Sequence, residues 1–350
     1  MGKKIVFLGA GAIGGYAGGH MTRGGEDVTL IDPWPEHVNH MNEHGLRIDG
    51  VTTQECFTTP VKAIHLTDVQ HLSKEKPIDI AFICVKSYDT EWATAMIKQY
   101  LAPHGFVVSL QNCMNEETVA RVAGPERTIG CIASILAAEL IGPGHVQRNV
   151  PLAGEEHTAF HVGEMHGRIT DRVLEVAALM RHADSAKATT NLWGERWTKL
   201  IVNGMRNGLS AATGLSGKER DSSPKTRDIS IRLGAEAVRV GWALGYQLGK
   251  IGGIVDADLV AAADGDMKAR TAVDAQLDRM VALRSDDQRP SMGQDMRKGR
   301  RTEIELINGF IAAKGDETGI ATPVNKALVD AVKRVERGEV PASPDVVAHL

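Results

Sequence analysis

Two groups of residues in this 350-residue chain have types and spacing that can do chemistry. The first is Gly9-Ala10-Gly11-Ala12-Ile13-Gly14, with Asp32 eighteen residues further on. Glycines in this pattern let the chain turn tightly at Gly9, expose backbone N–H groups at Gly11 and pack a helix on a strand at Gly14. A pyrophosphate then sits at the helix N-terminus, where unpaired donors and the helix dipole favour negative charge. Asp32 can accept from the adenosine ribose hydroxyls and repels a 2′-phosphate, and Pro33-Trp34-Pro35 follows it with no arginine. NAD is therefore favoured over NADP; an Asp before Pro is also an ordinary turn former, which leaves its charge in place. The second group is Lys199, Asn203 and Asn207, spaced i, i+4 and i+8 on one slowly drifting helix face. Amides and a lysine are costly to bury without partners, so this stripe marks either a wet cleft or a hydrogen-bonded helix–helix seam.

Further candidates are scattered along the chain. Lys86 and Asn112 each follow an apolar strand, and strand C-termini point at the ligand crevice of a doubly wound sheet. Ser291 is a candidate N-cap. Glu303 lies beside the Ile304, Ile307 and Ile311 stripe with Arg297, Arg300 and Arg301 nearby, so spacing alone allows a surface salt bridge. His37, His40 and His44 share a helix face; with no acid or cysteine beside them they read as a solvated face and not a metal site.

The elements that must position these residues fall into two regimes. The run Lys4–Leu8, a helix to Arg23, Val28–Ile31, Ile78–Val85, Phe106–Leu110 and Thr128–Leu136 reads as a parallel, buried sheet with helical crossovers. His145–Val150 and Thr158–Val162 read as a small antiparallel addition to it, and Arg168–His182 as an amphipathic helix. From Asn191, which can cap a long helix, strand signals vanish and the pattern is helical. The expected organisation is an α/β Rossmann-type N-terminal domain, 1–187, followed by an all-α C-terminal domain, 188–350.

Bulk properties narrow the partners. A net charge of −4 leaves no nucleic-acid footprint, and no stretch approaches the roughly 18 apolar residues that span a membrane. Cys56, Cys84, Cys113 and Cys131 have no metal-ligand spacing and read as thiols of a reducing compartment, with no signal-peptide pattern at the start. The expectation is a cytoplasmic homodimer acting on a small molecule.

Over nearly its whole length the chain resembles the 2-dehydropantoate 2-reductase (ketopantoate reductase) family. GAGAIGG, VKSYDT, QNCMNEE, WTKLIVNGMRN, SMGQDMRKGRRTEIELINGF and GIATPVNKAL occur in family order. The resemblance implies a nicotinamide-dependent reduction of a 2-oxo acid on a Rossmann domain joined to a helical domain. It implies Lys199 as general acid, Glu303 as the glutamate near the nicotinamide end of the cleft, and Asn203, Asn207 and Ser291 as substrate contacts. Lys86 and Asn112 then hold the nicotinamide half of the cofactor, with Asn112 also reaching the substrate. An ammonium can protonate the alkoxide that forms as hydride arrives, and a carboxylate nearby can orient that ammonium and tune its pKa. Two departures stand out: Asp32-Pro33 replaces the basic residue expected of NADP-using members, and the stretch between the Lys199 helix and Ser291 is longer. An NAD-linked catabolic dehydrogenase of another hydroxy acid or alcohol fits this pattern equally, and a non-catalytic NAD sensor would not need the second group of residues.

Overall fold

The structure, a computed structural model, describes residues 2–134, 136–154, 157–284, 286 and 288–350. The chain divides into two compact units, Met1–Leu192 and Trp193–Leu350. The division falls after Leu192 and not at 187/188, because the residues around 187 form a strand that pairs into the first unit.

In the first unit the chain runs β1 (Lys4–Leu8), α1 (Ala12–Arg23), β2 (Asp27–Asp32), α2 (Pro35–His44), β3 (Leu46–Asp49), β4 (Phe57–Thr59) and β5 (Lys62–His65). It continues with β6 (Ile78–Ile83), α3 (Thr90–Lys98), β7 (Leu101–Ser109), α4 (Glu116–Ala123) and β8 (Thr128–Ala133). The last elements are β9 (Ala138–Gly142), β10 (His145–Arg148), β11 (Phe160–Glu164), α5 (Asp171–Met180) and β12 (Ala186–Ala188). Among the described residues the main sheet has the order β12-β11-β8-β7-β6-β1-β2-β5, parallel except for the β11–β8 pair. From β1 the chain builds outward through β2 to β5, then returns to the other side of β1 at β6. This reversal places a topological switch point at the C-terminal ends of β1 and β6, where open α/β sheets bind their ligands.

The antiparallel addition is half as expected. β11 does join the main sheet, antiparallel to β8. β10 instead belongs to a separate sheet of order β4-β3-β10-β9, parallel to β3 and antiparallel to β9. The glycines of α1 are the physical reason. A Cβ at Gly18 would lie 2.6 Å from Leu30 of the main sheet, whereas one at Gly15 or Gly19 would meet Val146 at 3.2 Å or Ile48 at 2.7 Å. Gly15-Tyr16-Ala17-Gly18-Gly19 thus lets one helix be pressed by a sheet on each side. Arg148, fully buried at the end of β10, donates to Asp184 at 2.6 Å and to the Tyr16 hydroxyl at 2.8 Å, tying the second sheet to α1 and the approach to β12.

The second unit is helical: α6 (Leu192–Thr213), α7 (Gly217–Ser222), α8 (Pro224–Ala243), α9 (Asp256–Ala263), α10 (Met267–Ala282), α11 (Ser291–Arg297), α12 (Ile304–Thr318) and α13 (Pro323–Glu336). Asn191 directly precedes α6, as its sequence position requires of a cap. Ile304, Ile307 and Ile311 are fully buried, as their spacing predicts. No described helix is long and apolar enough to cross a membrane.

Candidate active site

The residues expected to hold a nucleotide lie on the first unit. Gly9 has φ +97°, and a Cβ there would lie 2.9 Å from the backbone of Cys84 and Val85, the exit of β6. At Gly14 a Cβ would sit 1.9 Å from the Gly9 carbonyl oxygen, so strand and helix meet backbone to backbone. Gly11, the residue preceding α1, has nothing within 4 Å of a Cβ position. That open approach to the first N–H groups of α1, beginning Ala12-Ile13, fits a pyrophosphate. No acidic side chain stands in the first turn to compete with it.

Ala10 is held from both sides. Its N–H donates to Asp32 Oδ2 at 2.9 Å, while Asp32 Oδ1 accepts from Trp34 N at 3.0 Å. A carboxylate has about four lone-pair sites, so Asp32 retains acceptor capacity for ribose hydroxyls while fixing the loop. The Ala10 carbonyl accepts from His37 Nε2 at 2.9 Å, and His37 Nδ1 accepts from Gly144 N at 2.8 Å. His37 is therefore a core residue joining the glycine loop to the β9–β10 turn, and the solvated-face reading of the histidine trio is corrected for it. The signal was present: Val38 and Met41 mark the buried face of α2, and His37 sits beside them. No group of acids, histidines and cysteines able to hold a metal occurs among the described residues.

Lys86 and Asn112 follow adjacent parallel strands at matching positions, each three residues past the Ile83–Ser109 register pair. Their loops are laced together. Gln111 Nε2 donates to the Val85 carbonyl and to Thr90 Oγ1, both at 2.9 Å, and Asn115 Nδ2 donates to Ser87 Oγ at 3.1 Å and to the Asn112 carbonyl at 2.6 Å. Between them Cys113 adopts φ +67°, a left-handed conformation that a non-glycine residue holds only where its surroundings enforce it. Sequence spacing pointed to Lys86 and Asn112; the amides that lock the two loops into register became visible only in the fold.

A second group of candidate residues lies within the helical unit. Lys199 is half-buried on α6, with Asn203 and Asn207 buried on the following turns. Burial, then Arg206 and Arg196, lower the Lys199 pKa to about 8. Besides burial, two guanidiniums thus disfavour the charged form of this lysine. Glu303 is buried at the N-terminal flank of α12, where its carbonyl accepts from Leu306 N and Ile307 N at 3.0 Å. Glu303 is thus not the surface residue its spacing allowed, whereas Glu305 beside it meets Arg301 at 3.2 Å at the surface. Ser291 is half-buried and is the first residue of α11; Pro290, with extended ψ 162°, occupies the N-cap position expected for Ser291.

Packing sets where Glu303 stands along α6. A Cβ at Gly204 would meet Ile311 at 3.0 Å, and one at Gly208 would meet Ile304 at 3.0 Å, so α12 runs antiparallel to α6. Glu303 consequently lies at the level of Gly208, next to Asn207. A polar seam crosses this contact: Asn308 Nδ2 donates to the Gly204 carbonyl at 3.0 Å and to Asn325 Oδ1 at 2.9 Å. Asn325 Nδ2 donates in turn to Glu236 at 2.7 Å, whose carboxylate also accepts from Val324 N and Asn325 N, both at 2.9 Å. A hydrogen-bonded helix seam thus passes through Gly204 and Gly208 of α6.

Known proteins share this arrangement. The family model described as "Ketopantoate reductase PanE/ApbA" matches residues 5–165, and its C-terminal counterpart matches residues 191–336. A 2-dehydropantoate 2-reductase of Archaeoglobus fulgidus is 30% identical over 338 residues, covering 96% of this chain and 99% of that protein. The crystal structure of a PanE/ApbA family ketopantoate reductase from Ralstonia eutropha JMP134 aligns with TM-score 0.76 at 27% identity, over 96% of this chain and 99% of that one. A D-mandelate dehydrogenase solved with NADH and anilino(oxo)acetate shares the fold with TM-score 0.77 at 22% identity, over 96% and 98% of the two chains. The chain belongs to the ketopantoate reductase family and is an oxidoreductase of CH–OH groups that works with a nicotinamide cofactor.

Proposed function

We propose that the protein interconverts a 2-oxo acid and its 2-hydroxy acid with NAD(H), and that Lys199 is the general acid of reduction and the general base of oxidation. The observation that carries this reading is the state of Lys199: a half-buried ammonium with a pKa of about 8, on one face with two buried amides. An acid is most effective when its pKa lies near the working pH, and an ordinary lysine would hold its proton too tightly. The bound nicotinamide supplies or receives the hydride. The chain's own residues do the rest. The loop Gly9–Gly14 and Asp32 hold the adenosine diphosphate portion, and Lys86 and Asn112 the nicotinamide half. Asn203, Asn207 and Ser291 orient the substrate, and the Lys199 ammonium gives its proton to the carbonyl oxygen as the alkoxide develops. Glu303, level with Asn207, is assigned to holding substrate and cofactor in register and not to tuning the lysine.

A second reading, an NAD-linked dehydrogenase of a hydroxy acid other than pantoate, is favoured by the Asp32 carboxylate, whose place NADP-using members fill with a base. The fold neighbour that carries NADH acts on mandelate, which is consistent with it. We also propose a homodimer formed through the segment 217–289, where Trp242, Val255, Met267 and Leu283 are exposed. The test of function is a panel of 2-oxo acids with NADH and of 2-hydroxy acids with NAD⁺, followed at the nicotinamide absorbance. Turnover with at least one acid is expected. Silence across the panel, with NADH still binding, would favour a sensor.

A further inference from the structure

The segment between α6 and Ser291 brings an unbalanced set of charges together inside the helical unit. Asp221 on α7 is buried, and both of its carboxylate oxygens are taken. Oδ1 accepts from Arg220 Nε at 2.7 Å, and Oδ2 accepts from Arg284 Nη1. Arg220 Nη1 also reaches the Arg206 carbonyl at 3.1 Å and Ser210 Oγ at 3.3 Å, while Arg284 Nη1 reaches the Gly217 carbonyl at 2.7 Å. Arg206 projects from α6 into the same neighbourhood. Its Nη2 meets the thioether sulfur of Met280 at 3.0 Å and lies against Gly252, where a Cβ would come within 2.7 Å of it. Among the described residues no carboxylate lies within ion-pair distance of Arg206; the nearest anion, Asp221, is already shared by two other guanidiniums.

Three guanidiniums around one carboxylate leave two positive charges in excess, and a thioether is only a weak acceptor. Burial first, then Arg284, and also Arg220, push the Arg206 guanidinium below its ordinary pKa, with Asp221 opposing only in part. An arginine nevertheless stays charged at neutral pH, so Arg206 is a half-buried cation with no ion-pair partner among the described residues. An incoming anion would relieve it.

We propose that Arg206 anchors a second anionic group of the substrate, a carboxylate distal to the reacting carbon, so that the enzyme acts on 2-oxo dicarboxylic acids and their 2-hydroxy counterparts. The inference rests on the reading of Lys199 as the group facing the reacting carbonyl. Arg206 follows Lys199 by seven residues, about two helical turns, which returns it to the same face about 10 Å along the axis. Both long side chains lean toward the helix N-terminus, so their head groups keep roughly that separation. Allowing about 3 Å of hydrogen-bond distance at each end leaves about 4–5 Å between the carbonyl oxygen and the distal carboxylate. A chain of two or three carbons between the two groups spans that gap.

The probes are 2-oxoglutarate and 2-oxopentanoate, equal in carbon number and differing by one carboxylate, with inorganic phosphate as a third arm. Binding is followed by calorimetry and thermal shift on the full chain with NADH present, and KM is measured alongside. Wild type is expected to bind 2-oxoglutarate at least about tenfold more tightly than 2-oxopentanoate, a difference that a buried charge-assisted hydrogen bond supplies. Arg206→Met, which keeps the side-chain volume, should erase the difference while melting near or above wild type, because it removes a half-buried cation crowded by other guanidiniums. Arg206→Lys should restore part of the preference. Lys199→Ala should retain the binding difference while losing turnover, so a failure of the catalytic reading is separable from a failure of this one. Equal affinity for the two acids in wild type overturns the proposal. So does a preference that survives Arg206→Met, or phosphate binding as tightly as 2-oxoglutarate and competing with it.

Discussion

If Lys199 is the acid of reduction, raising pH must switch reduction off through its pKa. Burial and the neighbouring Arg206 and Arg196 lower that pKa to about 8, from the ordinary lysine value of 10.5. With a pKa near 8 the ammonium is about 90% populated at pH 7 and about 10% at pH 9, whereas an ordinary lysine stays protonated over this whole range. The kcat/KM of reduction should therefore be level below pH 7 and fall about tenfold for each unit above 8. The oxidation direction, which needs the neutral amine, should show the mirror image, rising to a plateau above pH 9. Lys199→Ala should lower kcat by about 10²–10⁴-fold with a much smaller change in KM, and the residual rate should lose this pH dependence. The variant's melting temperature should stay near wild type or rise, since a cation crowded by two guanidiniums has been removed. The measurements are stopped-flow and steady-state rates in both directions from pH 6 to 10, together with thermal melts of the same preparations. Reduction that is level through pH 9.5, or turnover retained in a destabilised Lys199→Ala, would refute the assignment.

Two further outcomes follow from the same geometry. If NAD binds as proposed, NADH should bind about a hundredfold more tightly than NADPH, because the Asp32 carboxylate would lie against a 2′-phosphate and like charges there cost a few kcal/mol. Equal Kd values in a fluorescence titration would sink the argument. Glu303→Gln should lower kcat while leaving the NADH Kd within a few-fold, and it should leave the apparent pKa near 8 where it was, if burial and the neighbouring guanidiniums set it. A displaced pKa in that variant would return Glu303 to the role of lysine tuner.

Sequence by itself determined the architecture and the face of α6 that carries Lys199. Strand, glycine turn, helix, strand and acid are a local pattern, written into 29 consecutive residues, in which Gly9 and Gly14 answer steric requirements that no other side chain meets. The helical periodicity of α6 likewise placed Lys199, Asn203 and Asn207 on one face before any fold was known. What depended on long-range contact was out of reach. Val38 and Met41 mark the buried face beside His37, but the partner of its ring, the β9–β10 turn more than a hundred residues later, is set only by the fold. The GGYAGG run of α1 gives no sign that a second sheet presses on its outer side, because a glycine records only that something comes close. Glu303 cannot be told from Glu305 by spacing, yet packing of α12 on Gly204 and Gly208 buries the first and leaves the second to Arg301. The excess of positive charge around Arg206 was equally invisible. Its residues are spread over 79 positions, from Arg206 to Arg284 inclusive, and composition balances charges along the chain, whereas burial decides which of them must find partners in space.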